Sequence, residues 1–212
     1  MGTIKKGILG GFSGKVGTVV GGTWNTISYM RSLPQKVKNP RTLGQRSQRS
    51  KFALTLKLLQ PMTAFLRTGW KLYAHKQSPF NAAMSYVLAN AVTGNYPDYA
   101  IDASKVLVSR GALAPATNAS AAVAGGNLTF SWDDNSGVGS AKQTDKTLVA
   151  ILNQAKGEAI TNTAGVERTA GTQTAVLPAE WSGGSVEVYL GFISDDGKEV
   201  ANSVYLGSIA IA

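Results

Sequence analysis

A chain of 212 residues with 43% hydrophobic content is long enough for one large domain or two small ones and can bury a core. It has no cysteine, which excludes disulfides and thiolate-held zinc or iron–sulfur sites, and its single histidine, His75, excludes a multi-histidine metal site within one copy. The formal charge of +9 is segregated: residues 1–97 hold 14 Lys and Arg and no Asp or Glu, while residues 98–212 hold 7 basic and all 12 acidic groups, so the two parts carry +14 and −5.

That dipole along the sequence points to a polyanion partner for the first half, or to pairing between opposite halves of neighbouring copies. The apolar pieces after Lys5-Lys6 are short and broken by glycine, unlike a signal-peptide core, and no apolar run reaches the roughly 18 residues of a membrane span. The expectation is a soluble protein without membrane contact or export signal, in the cytoplasm or within a phage-like particle.

The first element is GGFSGKVGT at 10–18. A phosphate-binding loop would need Gly where Leu9 stands and a hydroxyl where Val16 stands, so that reading fails, and the stretch reads as a flexible basic approach to a hairpin. The hairpin is expected from two β-prone runs joined by Gly21-Gly22. Pro34 and Pro40 then mark an extended basic linker. Thr42 and Gln45 fit a capping box that opens a helical pattern running to about Ala74. Along it Arg46, Arg49, Lys57, Arg67 and Lys71 form one stripe, with Phe52, Leu56, Leu59, Met62, Phe65, Leu66, Trp70 and Tyr73 opposite. Lys51 falls among the apolar positions, and Pro61 predicts a kink or two successive helices.

Ser78-Pro79 starts a second helix carrying Met84, Val87, Leu88 and Ala91 and ending near Gly94, after which Tyr96-Pro97-Asp98-Tyr99 breaks the pattern. KVLVSRGAL at 105–113 reads as a strand, and APATNASAAVAGG as a boundary or an edge strand. From residue 127 the strands NLTFSW, KTLVAILN, EAIT, TQTAVLP, SVEVYLGFIS and NSVYLGSIAI suggest an antiparallel sandwich, with SDDGKE as a tight hairpin. Val186, Val188, Leu190 and Phe192 alternate with Glu187, Tyr189 and Gly191 as in a half-buried strand. Trp132 and Trp181 read as packing residues. The fold class is α+β: a basic hairpin-plus-helical region over 1–110, then an antiparallel sandwich over 111–212.

The runs GILGGFSGKVGTVVGGTW, ISYMRSLP, QRSQRSKF and GNYPDY, in that order, resemble an uncharacterised family of about this length found in many Bacteroidota genomes, across the whole chain. The resemblance implies no activity and no site residues. The β-rich half also resembles a fibronectin type III or immunoglobulin-like module, a likeness of fold that does not give function.

No nucleophile elbow, two-histidine metal motif or dinucleotide fingerprint is present, so neither an enzyme nor a cofactor is expected. Asp133-Asp134 and Asp195-Asp196 could face a hard cation, but their neighbours Asn135-Ser and Gly197 favour turns. What remains is a structural, self-assembling homo-oligomer of the coat or packaging type, virion-like and phage-derived, that contacts DNA or RNA without sequence preference. The expected contacts are the stripe Arg46, Arg49, Lys57, Arg67 and Lys71 and the arm Lys5, Lys6, Lys15, Lys36, Lys38 and Arg41. The alternative is a binding module for an acidic protein.

Overall fold

The computed structural model describes residues 2–4, 7, 10–24, 26–34, 39 and 41–211. It divides into two compact units, Met1–Thr42 and Leu43–Ala212, so that position 110 lies inside the second.

The first unit is a four-stranded antiparallel meander: β1 (Thr3–Ile4), β2 (Phe12–Val16), β3 (Val19–Trp24) and β4 (Ile27–Ser32), neighbours in that order. Gly21 and Gly22 lie within β3, paired to Met30 and Tyr29, and not in a turn as expected. Their lack of a side chain serves packing instead: a Cβ on Gly21 would strike the ring and carbonyl of Phe12, and one on Gly22 would press the Tyr29 hydroxyl. The chain reverses between β2 and β3 at Gly17, with φ +55°, and between β3 and β4 at Thr26, with φ 71°. GGFSGKVGT therefore supplies β2 and its turn, with Lys15 opposite Val20.

The second unit opens with α1 (Leu43–Leu59), a 3₁₀ turn at Gln60–Met62 and α2 (Thr63–Gly69). Pro61 stands in the first turn of the 3₁₀ segment, where its missing N–H breaks no helix bond, so the pattern splits into two helices there. The helix α3 (Pro79–Asn90) begins as expected: Ser78 Oγ accepts from the Asn81 N–H at 3.2 Å and Pro79 takes the first turn. It stops at Asn90, before Gly94, because the next residues form a hairpin of β5 (Val92–Asn95) and β6 (Asp98–Ile101) around a cis Tyr96–Pro97 bond.

Residues 106–113 are not a strand. They form a buried connector, with Val106, Val108, Ser109 and Leu113 inside, whose polar groups bond mainly to residues 200–203: the Val108 N–H donates to Ser203 Oγ, Ser109 Oγ donates to the Ala201 carbonyl, and the Ser203 N–H donates to the Ser109 carbonyl. Side chains take the place of a continuous ladder, and one isolated bridge, Leu113 to Ala201, remains. The small-residue segment is an edge strand, β7 (Thr117–Ala124). The six strands expected after residue 127 all form: β8 (Asn127–Asp133), β9 (Lys146–Asn153), β10 (Glu158–Asn162), β11 (Thr172–Val176), β12 (Ser185–Ile193) and β13 (Val204–Ala210).

They make two antiparallel sheets, β10-β9-β12-β13 and β11-β8-β7. Val149 and Ile151 of β9 and Val186, Val188, Leu190 and Phe192 of β12 join Leu128, Phe130 and Trp132 of β8 in the core between the sheets. Leu148, Ala150 and Leu152 of β9, with Tyr189 and Ile193 of β12, point the other way and pack with Leu59, Met62, Phe65, Leu66 and Val87 of the helices. Both strands are therefore buried on both faces, and the half-buried alternation expected for β12 gives way because the helices cover its second face. Phe52, 48% exposed, and Tyr73, 39% exposed, leave the expected apolar arc, and Thr55 and Leu58 take inward positions.

One end of the sandwich is tied by Arg168, whose side chain and that of its partner Asp145 are fully buried. Arg168 Nε and Nη2 donate to Asp145 Oδ2 at 3.2 and 3.1 Å, Nη1 donates to Asn135 Oδ1 and Nη2 to the Ala114 carbonyl, with the Phe192 ring 3.8 Å from the guanidinium carbon. Trp132 Nε1 donates to the Arg168 carbonyl at 2.7 Å, and Trp181 Nε1 to Glu158 Oε2 at 2.8 Å, so both tryptophans are packing residues with a bonded polar edge. Removing only one partner of a buried ion pair leaves an uncompensated charge, so Arg168→Leu is expected to cost about 3–5 kcal/mol. Urea unfolding followed by tryptophan fluorescence measures this, and the double change with Asp145→Leu should recover part of the loss.

Candidate nucleic-acid interface

The basic residues expected to meet a polyanion separate by unit. Lys5, Lys6, Lys36 and Lys38 lie outside the described residues. Lys15 is exposed on β2, and Arg41 is exposed with φ 48° near the end of the first unit.

In the second unit α1 turns Thr55, Leu58 and Leu59 inward, which leaves Arg46, Arg49, Ala53 and Lys57 exposed at intervals of three and four residues, the spacing of one helix face. On α2 the inward residues are Phe65, Leu66 and Gly69, and Arg67 is exposed. The intervening 3₁₀ turn advances about 120° per residue against about 100° in an α-helix, so over its three residues the stripe is displaced by about 60°. Lys71 begins a further 3₁₀ turn, and a Cβ placed on Gly197 would lie 3.5 Å from its Nζ, which sets this ammonium beside the turn that contains Asp195 and Asp196. Arg46, Arg49 and Lys57 thus share one face, Arg67 stands on the next helix, and Lys71 faces an acidic turn.

Three neighbours of this face escape a reading of the sequence. The hairpin β5–β6 brings the Tyr96 ring to 6.0 Å from the Arg46 guanidinium carbon and the Tyr99 ring to 4.8 Å from Lys51 Nζ, while Ser47 Oγ and the Tyr99 hydroxyl lie 2.6 Å apart. Lys51 can therefore occupy an apolar position: its stem is half-buried and its charge rests on a ring. The stretches QRSQRSKF and GNYPDY meet here, and the only hint in the sequence is that two tyrosines bracket Pro97. The third neighbour, Lys156, comes from the acidic half and lines a depression at the end of α1 together with Lys57, Gln60 and Pro61. Its Nζ donates to the Glu180 carbonyl.

Most of the carboxylates bond to groups of the acidic half. The ion pairs Lys105–Asp102, Lys146–Asp195, Arg168–Asp145 and Lys198–Asp196 each join two residues beyond position 97. Asp134 Oδ1 accepts from the Ser136 N–H at 3.0 Å, and Asp196 Oδ1 accepts from the Lys198 N–H at 3.0 Å and from Ser194 Oγ at 2.7 Å, so both act as turn caps. Those backbone bonds, first among the causes, hold both carboxyls below their usual range, and the Ser104 hydroxyl followed by Lys105 does the same for Asp102. A depressed folded-state pKa favours the folded chain above the ordinary carboxylate range, and the benefit is lost as pH falls through the lowered value.

Among the described residues no group of three His, Cys, Asp or Glu is placed to hold a metal ion, and no helix is long and apolar enough to cross a membrane. No curated protein matches the chain in sequence. Residues 11–207 match the family described as "Family of unknown function (DUF6266)", and with nearly its whole length covered the chain belongs to that family.

Proposed function

We propose that the protein is a non-enzymatic, self-assembling component of the coat or packaging type that contacts nucleic acid through its basic first half. The observation that carries this reading is the outward face of α1, where Arg46, Arg49 and Lys57 are exposed at helical spacing within a 97-residue stretch that has no carboxylate. Lysine and arginine on a rigid helix neutralise phosphates without reading bases, which suits a partner bound along its backbone.

Self-association is supported by the first unit. Its sheet leaves Trp24 65% and Met30 71% exposed, with Ile27 and Tyr29 also outside, and all six residues of the edge strand β4 are exposed. A unit of this size that buries so little apolar surface gains stability by pairing, and a long uncharged-to-basic edge accepts a strand from another copy. An immunoglobulin-like or fibronectin-III-like character for the two-sheet part is supported by strand order. Lettered A, B, C, C′, E, F and G along the chain, β7–β13 give the sheets E-B-A and C′-C-F-G.

Replacing Arg46, Arg49, Lys57, Arg67 and Lys71 together with glutamine is expected to flatten the dependence of log K on log salt by about 0.9 per lost duplex-phosphate contact. Titration of labelled duplex at several salt concentrations measures the slope, and an unchanged slope removes these residues from the interface. Light scattering on protein purified at low salt is expected to find an oligomer that carries excess absorbance at 260 nm. The double change Ile27→Ser with Met30→Ser should reduce it to monomer, whereas a wild-type monomer free of nucleic acid would make an acidic protein the better partner.

A further inference from the structure

A second feature lies on the helical layer, where the connector after β6 meets α2 and α3. The Arg110 N–H donates to the Gly69 carbonyl at 3.0 Å, which anchors the backbone, and its guanidinium carbon stands 4.4 Å from the Tyr73 ring centroid, 5.4 Å from Tyr86 and 5.7 Å from Trp70. The rings brace one another: Trp70 and Tyr86 centroids are 5.5 Å apart, Trp70 and Tyr73 6.0 Å, and Trp70 Nε1 is fixed by the Leu107 carbonyl at 3.2 Å. These residues line a pocket of about 260 Å³, with Gln77 and Ser85 as its polar lining.

The guanidinium is half-buried, yet among the described residues it takes part in no ion pair and its side chain donates to no acceptor. A planar group with five donors, withdrawn from water and held only by ring faces, is set to receive an anion. Nothing acidic lines the pocket. The volume falls below the roughly 300–1,000 Å³ usual for a whole small molecule, which suits one group of a longer ligand.

The geometry points to a binding pocket for one nucleotide of a single strand, with a phosphate on Arg110 and a base stacked on the exposed Tyr73 ring or on the guanidinium plane. A duplex keeps its bases within its own stack and cannot offer a face to such a pocket, whereas a single strand can. An acidic peptide would use the guanidinium and leave the exposed Tyr73 ring without a stacking partner. This inference rests on the nucleic-acid reading above and narrows it to single-stranded ligand at a named site.

The test is fluorescence anisotropy with a labelled oligothymidylate of about 15 nucleotides and a duplex of equal length, using the full chain. Wild type should prefer the single strand. Arg110→Lys, which keeps the charge and loses the plane, and Tyr73→Leu, at a partly exposed position, should each weaken single-strand binding about tenfold and leave the salt slope and melting temperature in place. Should Arg110→Lys fail to fold, Tyr73→Leu alone decides. If both variants bind as wild type while the five-glutamine variant loses affinity, the pocket assignment is overturned and the broader reading stands. Equal displacement by oligoglutamate would assign the pocket to an acidic protein, and absence of binding to either oligonucleotide by wild type would overturn both readings.

Discussion

The burial of β9 and β12 on both faces is the constraint on which the second unit rests. A sheet with one face on its partner and the other in water would alternate apolar and polar residues, but KTLVAILN runs through eight residues of which seven are buried. Each aliphatic side chain withdrawn from water contributes about 1.5–3 kcal/mol, and the odd-numbered and even-numbered sets along β9 and β12 serve different cores. The helices are consequently a layer of the fold. Without them Leu148, Ala150, Leu152, Tyr189 and Ile193 would form an exposed apolar patch, so the basic face of α1 is held rigidly over the central sheet.

That arrangement explains why the cations of α1 and α2 can be so numerous. Leu58 and Leu59 on α1 and Phe65 and Leu66 on α2 dock the inward side, and the energy of docking does not depend on i,i+4 ion pairs on the outward side. The outward side is therefore open to carry a single sign of charge. Where a cation does fall on the inward half, as at Lys51, the β5–β6 hairpin answers it with the ring of Tyr99 and not with a carboxylate. Arg110 among Trp70, Tyr73 and Tyr86 repeats the device. Aromatic faces hold cations in this helical layer, and they leave the positive charge uncancelled.

Much of the fold is legible in the sequence where one local rule acts alone. Ser78-Pro79 announces α3 because cap and first-turn chemistry are local, Pro61 marks the division of the long helical pattern, and the strands after residue 127 follow from β-branched runs between turn residues. The failures occur where a distant neighbour sets the conformation. Gly21-Gly22 looks like a turn, but the Phe12 and Tyr29 side chains need the room above β3. KVLVSRGAL has strand composition, but Ser109, Ala201 and Ser203 exchange side-chain bonds that displace the ladder. Of the candidate interface, the α1 stripe could be read from spacing, whereas Tyr96, Tyr99 and Lys156 are brought to it by a hairpin and a turn whose placement no local pattern reveals.

The fate of the carboxylates is the strongest link between the fold and the proposed function. Charge separation along a sequence would mean little if folding brought the acidic half onto the basic half, because each cation would then find its partner within the chain. Instead eight of the 12 acids have a bonding partner beyond residue 97: Asp102 with Lys105, Asp133 with Asn118, Asp134 with Ser136, Asp145 with Arg168, Glu158 with Trp181, Glu187 with Tyr205, Asp195 with Lys146 and Asp196 with Lys198. Turn capping, the buried clamp and the indole bond each need a carboxylate at a fixed point, and a carboxylate so placed cannot also reach across to α1. The local chemistry that makes the sandwich stable thus occupies carboxylates that could have neutralised the outward face of α1, which supports the proposed contact between that face and a polyanion.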